Sequence, residues 1–177
     1  MRWLAFLLLT APALAECPAN PDIDDAEAAI FSDIATAGNE MQARGHGGRL
    51  WLLWLQAPDR KSQWLLDRAI ARREVADFDG ADEYLADLVD YCPNYAEGHN
   101  QRGFIAYLRG DFEAAVPHIE AALAIRPAHT GALTGMALTL IELGREAEAE
   151  TYLLRALGLN PFLSERHLLP GLQKNKL

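Results

Sequence analysis

Residues 96–129 read AEGHNQRGFIAYLRGDFEAAVPHIEAALAIRPAH, and the same frame recurs 34 positions before and 34 positions after. Pro93, Pro127 and Pro161 keep that spacing and divide the chain into Ser62–Tyr95, Ala96–His129 and Thr130–Leu163. Small residues return in two columns, Ala69/Gly103/Ala137 and Ala81/Ala115/Ala149. Two further columns match, Ala76/Gly110/Gly144 and the apolar Leu85/Ile119/Leu153. A fixed period of this length predicts an all-α solenoid of three helix pairs, in which no unit can bury its apolar face alone. Such a scaffold holds another protein more often than it does chemistry.

Each unit reads as helix, turn, helix. In the middle one, Asn94 followed by Glu97 is a capping box for the first helix. Arg109-Gly110-Asp111 makes the turn, and Asp111 caps a second helix that ends before Arg126-Pro127. Pro117 lies inside that helix, where it removes a hydrogen bond, so a local bend is expected. Residues 164–177 form a short C-terminal cap or tail. Within it, Ser164–Leu169 gives one last turn before Pro170-Gly171, and Gln173–Leu177 is expected to fray.

These units resemble the tetratricopeptide repeat over Ser62–Leu163. The residues that carry the resemblance are Gly103, Gly110-Asp111, Ala115, Ile119, Ala122 and Pro127 in the middle unit. In the last unit they are Leu133, Ala137, Leu140, Gly144, Ala149, Leu153, Ala156 and Pro161, and in the first Leu65, Ala69, Ala81, Leu85 and Pro93. Close helix approach needs small residues at the crossing points. Arg68 and Arg102 depart from the pattern, standing where the family usually has leucine. Arg102 is expected either to find a carboxylate, Glu97 or an acid of the preceding unit such as Asp67 or Asp87, or to reach solvent together with Arg68. The whole chain is also similar to short exported tetratricopeptide proteins of proteobacteria, most of all over Tyr95–Arg102.

The first residues precede any fold argument. Met1-Arg2, the apolar run Trp3–Leu9 and the small-x-small triplet Ala13-Leu14-Ala15 read as a signal peptide over residues 1–15. Trp3 to Ala15 is 13 residues, short of the roughly 20 of a spanning helix, so no membrane insertion of the mature chain is expected. An exported protein follows, with a bacterial periplasm as its expected destination. Loss of Arg2 leaves 15 basic against 25 acidic residues, a formal charge of −10. That sign disfavours nucleic acid and anionic membrane surfaces and suits a basic or neutral protein or peptide partner. Cys17 and Cys92 enter an oxidising space; either they pair, tying the new N-terminus to the first repeat, or they stay as independent thiols.

Residues 16–61 form a leader and N-terminal helices. Cys17–Pro21 reads as loose. Asp22 or Asp24 caps a helix that places Ala26, Ile30 and Ile34 on one face and ends at Ala37-Gly38-Asn39. A second helical stretch runs from Glu40 to Gln56, but three glycines among Gly45-His46-Gly47-Gly48 cost about 3 kcal/mol of helix propensity. A break is expected there, leaving Arg49–Gln56 as a separate short helix. The stripe of Trp51 and Trp54 with Leu50 and Leu55 is expected to pack near Trp64 and Leu65.

In the tetratricopeptide family the first helices line a concave face, so the resemblance implies a partner-binding groove of Leu66, Ile70, Arg73, Glu97, Asn100, Phe104, Tyr107, Thr134, Leu138 and Ile141. Phe104, Tyr107 and Leu138 serve as anchors and Asn100 and Arg73 as polar contacts. Otherwise the leader or Trp51–Leu55 fills the hollow and these residues are core. Some members grip the C-terminal carboxylate of cytosolic chaperones; the matching positions here, Leu66, Ile70, Gln101, Gly131 and Gly135, cannot form that clamp. No HExxH, zinc-ligand spacing, P-loop lysine or G-x-S-x-G is present. The expectation is therefore no enzyme, no metal and no cofactor. The role implied is an exported adaptor mediating protein–protein interaction. The alternative is a periplasmic maturation factor presenting unfolded secreted substrates such as an apocytochrome.

Overall fold

A computed structural model describes residues 16–174, so the export signal expected over residues 1–15 lies outside the described residues. Three helical hairpins follow one another: α3 (Arg60–Glu74) with α4 (Phe78–Tyr91), α5 (Ala96–Leu108) with α6 (Phe112–Ile125), and α7 (Thr130–Glu142) with α8 (Glu146–Leu159). A leader pair precedes them, α1 (Asp24–Ala35) and α2 (Glu40–Trp54). After them come a 3₁₀ turn, Ser164–Leu168, and α9 (Leu169–Lys174). No strand occurs among the described residues, and no helix there is long and apolar enough to cross a membrane.

The recurring columns have separate physical causes. Ala76, Gly110 and Gly144 end the first helix of each unit with φ of 57°, 76° and 69°. That left-handed turn favours glycine. Gly103 sits at a helix crossing: a Cβ there would come 2.5 Å from Ile119 Cγ1 and 3.3 Å from the Ala115 carbonyl oxygen. Three columns of the repeat thus meet in one contact. Ala69, Ala81, Ala115, Ala137 and Ala149 are all buried. Their burial lets neighbouring helices approach closely enough to form continuous cores in the first and the last two units.

Several local expectations are corrected. Tyr95, not Asn94, is the N-cap of α5, with no side-chain bond. Glu97 is turned inward instead of capping. The capping box belongs to α3, where the Asp59 side chain accepts the Ser62 N–H at 2.8 Å and Ser62 Oγ accepts the Asp59 N–H at 3.0 Å. Asp111 does cap α6, and α6 runs unbroken through Pro117. Arg102 pairs with Asp82 at 2.9 Å, so it does find an acid of the preceding unit. Arg68 is exposed, its guanidinium 5.5 Å from the Trp64 ring centroid. The C-terminal turn does not stop at Pro170. Proline suits the first turn of a helix, and α9 carries Leu172 into the core of the last two units.

The leader differs most. Ile23 stands at the N-cap position of α1 without a side-chain bond, and Asp22, one residue before it, accepts the Asp24 N–H on Oδ1 at 3.3 Å. The buried face is Glu27, Ile30 and Ile34, while Ala26 is exposed. α2 is continuous through its glycines because tertiary burial of Ala43, Leu50 and Trp54 outweighs their poor propensity. Trp54 does not reach Trp64, which instead meets Tyr84 edge-on at 5.6 Å. Leu55 alone of the stripe packs against the Leu65 core.

What holds the leader is a column of its own. Cys92, Arg126 and Asn160 stand 34 apart and are the C-caps of α4, α6 and α8. Cys17 and Cys92 form a disulfide with a Cα–Cα distance of 5.1 Å, so the Cys17–Pro21 segment is tethered instead of loose. Arg126 Nη1 bonds Glu27 at 2.9 Å and Asp24 at 3.3 Å. Asn160 faces Gly47, where a Cβ would lie 4.0 Å from its amide nitrogen. The leader crosses all three junctions of the solenoid in order.

Candidate functional site

Burial puts Glu97 and His129 at the centre of the concave face. Both side chains are fully inaccessible, and His129 Nε2 lies 2.8 Å from Glu97 Oε2. His129 Nδ1 accepts the Ala132 N–H at 3.1 Å, capping α7, so the ring proton sits on Nε2 and is donated to the carboxylate. Asn100 Nδ2 at 3.1 Å and Gln101 Nε2 also donate to Glu97. Gln101 Oε1 in turn accepts from Arg73 Nη1, and the Arg73 guanidinium lies 5.6 Å from the Phe104 centroid. A buried carboxylate is tolerable only when its lone pairs are filled, and three donors fill these.

Trp54 closes one end of the hollow. Its ring stacks on His129 at 4.0 Å, its Nε1 donates to Glu27 at 2.6 Å, and its carbonyl accepts from the Tyr95 hydroxyl at 2.9 Å. Burial, helped by the charges of Glu97 and Asp67, pushes the Tyr95 phenol far above its usual range. The leader therefore fills part of the hollow.

The rest stays open as a channel between α2 and the repeats. One cavity of about 240 Å³ is lined by Asn100, Gln101, Phe104 and Tyr107 of α5, by Ile119, and by Gly131, Thr134, Gly135 and Leu138 of α7. Trp51 and Glu165 close its far wall. Trp51, Gly131, Thr134 and Glu165 also line a second cavity of about 440 Å³, which extends along α2 past Glu40, Arg44, Gly47 and Gly48. Glycines stand on both walls, and a Cβ at Gly48 would meet nothing within 4 Å. Arg166 of the 3₁₀ turn bonds Glu40 of α2 at 2.9 Å, and Arg44 bonds the same carboxylate at 2.9 Å. Hydrogen bonds from Arg166 and Arg44 hold the Glu40 carboxyl below its ordinary value. This clasp joins the start of α2 to the C-terminal 3₁₀ turn.

The comparisons with known proteins agree with this geometry. A family model described as the tetratricopeptide repeat matches residues 106–168. A TPR repeat-containing protein of Rhizobium etli is 38% identical over 85 residues, 48% of this chain and 39% of that protein. The chain thus spans about two-fifths of that relative's length. The first TPR of Spaghetti (RPAP3), solved with an HSP90 peptide, superposes with a TM-score of 0.64 at 19% identity over 66% of this chain and 94% of that one. Residues 106–168 match the tetratricopeptide-repeat family, and the fold is that of tetratricopeptide-repeat structures. Among other structures with this fold, the TPR2B domain of yeast Sti1, in a complex with pHsp70, matches with a TM-score of 0.59 at 17% identity. That match covers 64% of this chain and 94% of the other. MamA of RS-1 reaches 0.61 at 19% identity over 89% of this chain and 87% of its own.

The ten groove residues read from sequence separate into three groups. Asn100, Phe104, Tyr107, Thr134 and Leu138 converge on the cavity. Leu66 and Glu97 are buried, Leu66 in the first-unit core and Glu97 beneath the cavity floor. Ile70 and Ile141 pack against the two cores, and Arg73 lies behind Phe104. Sequence reasoning reached Gln101, Gly131 and Gly135 only as clamp positions without clamp chemistry, and Trp51 only as a filler of the hollow; it did not bring Glu165, Gly47 or Gly48 to this site. The signal available was the four-residue spacing of Gly131 and Gly135, which places two bare positions on one helix face. Among the described residues no group of three His, Cys, Asp or Glu side chains is arranged to hold a metal ion.

Proposed function

We propose that this protein is an exported adaptor which holds an extended stretch of another polypeptide in the channel between α2 and the concave face. The observation that carries the reading is the glycine lining, Gly131 and Gly135 in the smaller cavity and Gly47, Gly48 and Gly131 in the larger. Helix glycines cost about 1 kcal/mol each relative to alanine, and here they keep open a space that side chains would fill. Phe104, Tyr107 and Leu138 offer apolar anchors beside Asn100. Export is supported by the signal-like first 15 residues and by the Cys17–Cys92 bridge, which suits an oxidising compartment. The negative formal charge favours a protein guest over nucleic acid.

A second reading, a periplasmic presenter of unfolded secreted chains such as an apocytochrome, draws on the same glycines. Bare walls grip main chain whatever its side chains. Capture of many unrelated unfolded chains favours the presenter, and capture of one favours the adaptor.

Gly135→Leu tests the channel. A Cβ at Gly135 meets only Ile119 Cδ1, at 3.9 Å, so the fold is expected to keep its melting temperature while the leucine fills the cavity. A photo-crosslinker at Phe104 of the exported protein should capture a partner that Gly135→Leu no longer captures, while one at Leu154, on the outer surface, should not. Equal capture by both variants removes the channel from consideration.

A further inference from the structure

The polar groups facing the smaller cavity are mostly acceptors, and this restricts what the guest can present. Asn100 directs its NH₂ at Glu97, leaving Oδ1 for the cavity. Thr134 Oγ1 donates to the carbonyls of Thr130 at 3.0 Å and Gly131 at 3.1 Å, so toward the cavity it offers lone pairs. Gln101 is engaged at both ends, by Glu97 and by Arg73. Glu165 accepts a 3.1 Å bond from the neighbouring Ser164 hydroxyl and makes no ion pair among the described residues. Against these stand the Trp51 indole N–H, the Tyr107 hydroxyl and the second amide N–H of Asn100.

The field has the same sign. Glu97 lies beneath the floor with no cation in direct contact, since Arg73 reaches Gln101 and stops there. Glu142 stands near Tyr107 and, with burial, raises its phenol. Arg44, which lines the adjoining cavity, is bonded to Glu40, and so is Arg166. Three aromatic rings, Trp51, Phe104 and Tyr107, complete the wall. Aromatic faces beside an unpaired carboxylate and carbonyl-type acceptors attract an organic cation.

We infer that the polypeptide guest presents a basic side chain, lysine or arginine, to the pocket formed by Trp51, Phe104, Tyr107, Asn100 and Glu165. The inference rests on the channel reading above and adds the chemistry of the residue it selects.

The test pans a library of random ten-residue peptides displayed on phage against the exported protein, its Glu165→Gln variant and its Gly135→Leu variant. The wild type should enrich one basic position about tenfold over acidic residues, the ratio that about 1.4 kcal/mol gives. Glu165→Gln should still select peptides but lose most of that preference. Gly135→Leu should select none, and 0.5 M salt should weaken the basic preference. Peptides that are selected, and blocked by Gly135→Leu, yet show no basic position would overturn this inference and leave the channel standing. Failure to select any peptide, or selection unaffected by Gly135→Leu, would sink both.

Discussion

His129 Nε2 donates to Glu97 Oε2 at 2.8 Å with both side chains wholly shut off from solvent, while the same imidazole caps α7 and stacks on Trp54. Leader, second repeat and third repeat therefore meet on one ring. Glu97→Ala is expected to cost about 3 kcal/mol, because it leaves His129, Asn100 and Gln101 donors without an acceptor. His129→Ala should cost a similar amount, and the double variant less than the two together. Urea unfolding of the four proteins measures this; additive losses would show that the two residues act separately.

The bridge between Cys17 and Cys92 closes 75 residues of chain. On chain-entropy grounds such a link stabilises by about 4 kcal/mol. Cys17→Ser with Cys92→Ser should lower stability by up to that amount and increase amide exchange in α1. A thiol count of two per chain in the non-reduced protein would show that the bridge does not form.

Two glycines should respond in opposite directions. Gly103→Ala forces Ile119 or the α6 backbone to shift and is expected to destabilise by about 1–3 kcal/mol. Gly45→Ala enters open space in α2 and should stabilise by up to about 1 kcal/mol. Thermal melts of both variants check the pair. A neutral Gly103→Ala would mean that the α5–α6 crossing is looser than the geometry requires.

Burial, with the charges of Arg102 and His99 adding to it, lowers the pKa of His118 below 6.5. A depressed folded value means the unfolded chain binds the proton first. The contribution is present above pH about 6.5 and is lost as pH falls toward the folded value. His118→Gln should flatten the stability profile over that window. An unchanged slope between pH 7 and 5 would show that other groups dominate.

The repeat was readable because its causes are local. Left-handed turns at Gly110 and Gly144, and the crossing at Gly103, each demand a residue type at a fixed place. The leader was not readable by the same means. Its helices follow long-range partners, and Glu27 looks like one more surface acid until Trp54 and Arg126 are placed against it. The Cys92/Arg126/Asn160 column was visible as a period, but its three residue types share no chemistry. Only their position, at the ends of α4, α6 and α8, gives them a common task. Part of the site suffered the same way. Phe104, Tyr107 and Leu138 follow from the resemblance, which puts the first helices on the concave face, whereas Trp51 and Glu165 come from outside the repeats.

An open solenoid unravels from its ends, since each terminal repeat has a neighbour on one side only. The Glu40–Arg166 bond removes that freedom by making the first and last segments neighbours. Loss of either end loosens the other, so melting should proceed as one all-or-none event instead of peeling repeat by repeat. The same closure sets a topological rule for any guest: a free chain end can thread in, but a mid-chain loop must wait for one ion pair to part.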